Sequence, residues 1–137
     1  MPAPSPLAFA RNAFPIWAEE NGSLGNNTEE WAFGNGANTP QHMGVTVPFD
    51  CTIEHLSLTI RRGVATVGVY VDGARVGDVS ATGGLHPDTS TATAAVGRGT
   101  AELASIPVQA GQSISFRTIT ASNTSGPNVV CAWLAPA

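Results

Sequence analysis

The chain contains no lysine; all six of its basic residues are arginines, set against ten acidic residues for a net charge of −4. Proteins that bind nucleic acid draw much of their affinity from cationic contacts to phosphate, so this balance argues against that partner. Charge of either sign is scarce. Asp, Glu, Lys and Arg make up 12% of the sequence, against about 25% in an ordinary soluble domain. No apolar run approaches the roughly 20 residues of a membrane-spanning helix, and no membrane partner is expected. The opening residues MPAPSPLAFARNAFP are interrupted by prolines and lack the apolar core of a signal peptide. Two cysteines, Cys51 and Cys131, are too few for a disulfide scaffold. They read as buried small hydrophobes, with a bridge between them as the alternative.

The residues that carry chemistry are also thinly spread. His42, His55 and His86 lie far apart, with no H-x-H or H-E-x-x-H spacing, and the aspartates are scattered. No metal or other cofactor is therefore expected. Glu19-Glu20 and Glu29-Glu30 are adjacent pairs. Neighbours on a strand point to opposite faces, so neither pair makes a single two-carboxylate site. No serine sits in a nucleophile elbow, and no glycine-rich stretch has phosphate-loop spacing. The expectation is a protein that is not an enzyme.

What is present is a run of short alternating segments. Leu56, Leu58 and Ile60 alternate with His55, Ser57 and Thr59, the signature of a half-buried strand. Ile53 is out of phase with Leu56, which predicts a bulge or bend between them. Val67, Val69 and Val71 lead into Asp72-Gly73, a hairpin signal because that turn needs positive φ. Further strands are predicted over Glu29–Phe33, Gly44–Phe49, Ala74–Val79, Thr91–Val96, Leu103–Val108 and around Ile114–Thr118. The last, Val129–Leu134, is apolar on both faces: Val129, Cys131 and Trp133 on one, Val130, Ala132 and Leu134 on the other. Such a strand is covered on both sides. One cover is the domain's own core, and a neighbouring subunit could supply the other. Val129, Cys131, Trp133 and Leu134 are thus candidates for an interface or the core. Trp17, Trp31 and Trp133 all sit in apolar patterns that suit packing, although an exposed tryptophan can also stack on a sugar ring.

Eight to ten short strands with turns at this spacing predict an all-β, jelly-roll-like antiparallel sandwich over residues 17–137. No tryptophan lies between the two cysteines, which disfavours an immunoglobulin-like sandwich. Residues 1–16 read as an extended N-terminal arm. Pro2, Pro4, Pro6 and Pro15 hold it open, while Leu7, Phe9, Phe14 and Ile16 are costly to leave in water. The arm either docks on another molecule or folds back on its own domain.

Three runs resemble a known group: AEENGSLGNNTEEWAFGNGAN (Ala18 to Asn38), VTVPFDCTIEHLSLTI (Val45 to Ile60) and PVQAGQSISFRTITASNTSGPNVVCAWL (Pro107 to Leu134). They are similar to small β-sandwich domains in virion proteins of tailed bacteriophages, found as head decoration (cement) proteins and as head modules of tail fibres. The resemblance implies a jelly roll like that of C1q-like and tumour-necrosis-factor-like domains, often assembled as a homotrimer, without catalysis. The resemblance alone fits head or tail; with no repeats, coiled-coil heptads or fibre shaft in the sequence, the expectation is a structural protein on the outer capsid surface of the virion, assembled in the host bacterial cytoplasm, with the major capsid protein as partner. Leu7, Phe9 and Phe14 are then the expected capsid anchors. The alternative is a receptor- or glycan-binding head module of a tail fibre or spike.

Overall fold

The computed structural model describes residues 13–29, 31–33, 44–83 and 96–137. Its strands are β1 (Phe14–Glu20), β2 (Val45–Thr46), β3 (Cys51–Ile60), β4 (Val64–Val71), β5 (Ala74–Thr82), β6 (Gly97–Val108), β7 (Ser113–Ser122) and β8 (Asn128–Pro136). They form two four-stranded antiparallel sheets, ordered β1-β8-β3-β6 and β2-β7-β4-β5. First pairs with last, second with seventh, third with sixth, and fourth with fifth through the hairpin. The chain is one long antiparallel ribbon rolled over itself, which is the jelly-roll topology.

Period-2 alternation explains what lies between the sheets. From the first sheet, Ile53, Leu56, Leu58, Ile60, Val130, Ala132 and Leu134 point inward. Ala65, Val67, Val69, Val79, Ile114 and Phe116 meet them from the second. The phase change anticipated in β3 is a register shift between Ile53 and His55, seen against both neighbouring strands. It lets Ile53 and Leu56 face the same core although they are three residues apart. Asp72 and Gly73 turn the hairpin with φ of 48° and 83°.

The two sides of the sandwich close differently. On one side β5 and β6 approach so closely that a Cβ on Gly99 would lie 1.8 Å from the Ser80 carbonyl oxygen. Only glycine fits there, because the obstacle is backbone. On the other side the closure is a segment without regular structure. Thr28 bridges to Thr118 of the second sheet and Ala32 to Glu19 of the first. Between those bridges Trp31 is fully buried, its indole N–H donating to Thr118 Oγ1 at 2.9 Å. Phe33 stacks on Phe116 at 5.7 Å.

Several expectations are corrected. The described residues of Glu29–Phe33 make one isolated bridge, at Ala32, rather than a strand. Its alternation reflects Trp31 plugging the gap between sheets. The arm boundary at residue 16 falls inside β1, since Phe14, Pro15 and Ile16 pair with Leu134, Trp133 and Ala132. Pro15 is tolerated because β1 is an edge strand. The expected strand at Thr91–Val96 lies almost wholly outside the described residues, and β6 begins at Gly97.

Candidate functional site

The outward face of the first sheet is set by register, because residues paired across antiparallel strands share a face. Three rows cross it. Glu102, His55, Trp133 and Pro15 form one; Thr100, Ser57, Cys131 and Trp17 the next; Arg98, Thr59, Val129 and Glu19 the third. The half built by β3 and β6 is polar. The half built by β1 and β8 is apolar at its centre, with charge only at Glu19.

Strand parity creates that apolar half. Phe14, Ile16 and Ala18 of β1 pack toward the core, so Pro15 and Trp17 must point outward. Trp17 is 48% exposed and Val129 37% exposed. Trp133 is half-buried, its indole N–H donating weakly to Ser57 Oγ at 3.4 Å. Trp17 stands diagonally across the strand pair from both Val129 and Trp133, a spacing of about 7–8 Å that side chains of this size span. Cys131 lies beneath this group, 7% exposed. Burial pushes its thiol up to about 11, against a smaller lowering by the hydrogen bond with Ser57. At neutral pH it is a protonated thiol, a poor nucleophile.

The sequence-predicted residues divide accordingly. Val129, Cys131 and Trp133 share the outer face, while Leu134 is fully buried in the core. Cys51 belongs to the inward face of β3, and burial, then the charge of Asp50, raises its thiol. The two cysteines thus sit on opposite faces of one sheet, both free. Phe14 packs against the core, with its ring 5.5 Å from that of Phe49. Part of its apolar surface is thus engaged by its own domain, and part stays exposed. Leu7 and Phe9 lie outside the described residues, as do His42 and His86. His55 is on the outer face beside Trp133 and Glu102.

Sequence reasoning missed Pro15 and Trp17 as members of this face. The available signal was the phase of Phe14, Ile16 and Ala18, but the proline run before them hid the start of the strand. Compared with protein-family models and with curated proteins, the sequence has no significant match.

Proposed function

We propose that this chain is a capsid decoration (cement) protein, a structural component that binds and reinforces the outer surface of a tailed-phage head as a homotrimer. The observation that carries the reading is the apolar group of exposed Trp17 and Val129 with half-buried Trp133, on an otherwise weakly charged sandwich. Exposed apolar side chains placed side by side mark an interaction surface. In a cyclic trimer each copy would set this face against a different surface of the next, a heterologous contact that closes as a ring. Leu7 and Phe9, ahead of β1, are left to reach the major capsid protein. The mechanism is thermodynamic. A ligand that binds only the assembled shell stabilises it by mass action, about 2.7 kcal/mol at a concentration one hundred times Kd. Three attachment points on one trimer add avidity through effective concentration.

The test is to add purified protein to undecorated heads and measure stoichiometry and the temperature at which the heads open. Saturable binding with a raised opening temperature supports the reading. A receptor- or glycan-binding head module is the second reading. It is favoured by the placement of Trp17 and Trp133 beside Ser57, Thr59 and Thr100, an aromatic surface next to a hydroxyl row. Binding on a glycan array, with none to heads, would replace the first reading by the second.

A further inference from the structure

We propose that the apolar half of the first sheet's outer face is a docking site for the proline-rich segment Pro2–Pro6 of a second copy of this chain. The proposal rests on the trimer reading and gives its contact an occupant.

Three observations fit that segment to that face. The first is chemistry. Extended proline-rich segments dock on surfaces lined by aromatic rings, where preformed backbone geometry limits the entropy lost on binding. Trp17 and Trp133 provide such a surface, flanked by Pro15 and Val129. The segment from Met1 to Ala10 has no charged side chain, so nothing in it would have to be desolvated against the rings. The second is spacing. In a strand-like extended backbone, prolines two residues apart share one face and are separated by about 7 Å. The diagonal between Trp17 and Trp133 is comparable, about 7–8 Å. The third is reach. Residues 7–12 connect Pro6 to the described part of β1, and six extended residues span up to about 20 Å. β1 itself, at seven residues, covers a comparable distance, about 23 Å.

Direction favours a neighbour over the same chain. β1 enters the sheet at Phe14, opposite Leu134 near the far end of β8. An arm continuing in line leaves past that end, away from its own Trp17. Returning would need a reversal within Ala10-Arg11-Asn12-Ala13, where Asn12 is the single turn-favouring residue and there is no glycine or proline. An exchanged arm therefore meets the next copy's face with Pro2, Pro4 and Pro6. Leu7 and Phe9 fall between the domains, where they are free to meet the shell.

The experiment uses the full chain, a Pro4→Ser/Pro6→Ser variant, a Trp17→Ser variant and a synthetic peptide of residues Met1–Phe9. Sedimentation reports assembly, and tryptophan fluorescence reports ring contact. The expected result is a trimeric parent and at least about tenfold weaker association for both variants. Far-ultraviolet circular dichroism of both should match the parent, and the peptide should perturb the fluorescence of the Pro4→Ser/Pro6→Ser variant but not of Trp17→Ser. If the proline variant stays trimeric and ignores the peptide, the arm proposal falls and the trimer reading survives. A monomeric parent whose variant still binds the peptide would mean that the arm covers its own domain, overturning exchange. A monomeric parent with no peptide response would end both readings. Leu7→Ser/Phe9→Ser separates the capsid role, since it should weaken head binding while leaving the trimer intact.

Discussion

The outward faces of the two sheets are built from the same fold yet are finished differently. On the second sheet polar groups pair with one another. Thr66 and Ser80 share a hydrogen bond at 2.7 Å, Arg75 pairs with Asp78, and Arg117 pairs with Glu29 at 3.4 Å. Those polar groups satisfy one another, while Val64 at the start of β4 is an exposed large apolar side chain of this face. On the first sheet the corresponding central positions are Trp17, Val129 and Trp133, whose apolar area only another molecule can cover. One sandwich thus has a finished face and an unfinished one, and the difference separates residues that hold the fold from residues reserved for contact.

The sharpest test of that division uses neighbours in β8 that point opposite ways. Leu134→Ala should destabilise the domain by about 2–5 kcal/mol, because the side chain is fully buried and leaves a cavity. Denaturant unfolding will measure this. The second effect in size is alkaline. The Cys131 thiol is raised in the folded protein from its ordinary 9.0 to about 11. Below pH 9 it is protonated whether folded or unfolded. Between about pH 9 and 11 only the unfolded chain ionises, so this contribution to stability is lost progressively as pH rises, by up to about 2–3 kcal/mol. Cys131→Ala should flatten the decline in unfolding free energy over that window. Next, Trp17→Ser should change the stability of the isolated domain by less than about 1 kcal/mol, because an edge tryptophan this exposed has little packing to lose. Its effect should fall on association instead. If unfolding curves shift as far as for Leu134→Ala, the unfinished face is part of the core and the comparison fails. The smallest effect belongs to the finished face. Arg75→Ala removes an exposed ion pair, and should cost about 0.2–1 kcal/mol with assembly unchanged.

The alternation of β3, β4 and β7 was legible because each strand turns one apolar face to the core, and that writes a period of two into the sequence. The Ile53–Leu56 phase slip and the Asp72-Gly73 turn could be read for the same reason: a bulge and a positive-φ turn leave local marks. Three things left no such mark. Trp31 imitates a strand residue while plugging the gap between sheets. The start of β1 is masked by proline, whose ring obscures where pairing begins. The partners of each strand are decided by contacts across most of the chain, which no local window contains. Half of the candidate face was legible for that reason. Val129, Cys131 and Trp133 stood out as the second apolar side of one strand, whereas Pro15 and Trp17 joined them only through the pairing of β1 with β8.

That pairing also orders events in time. β8 lies between β1 and β3 in the first sheet, yet it is the last of these strands to leave the ribosome. Until residues 128–136 emerge, β1 has no neighbour in its sheet and β3 is open along one edge. Folding of this sheet therefore waits for β8, governed by closure between distant parts of the chain and slow for that reason. In the interval two apolar strands wait with bare edges, and at high expression they are the surfaces through which nascent copies would pair with each other before either had folded.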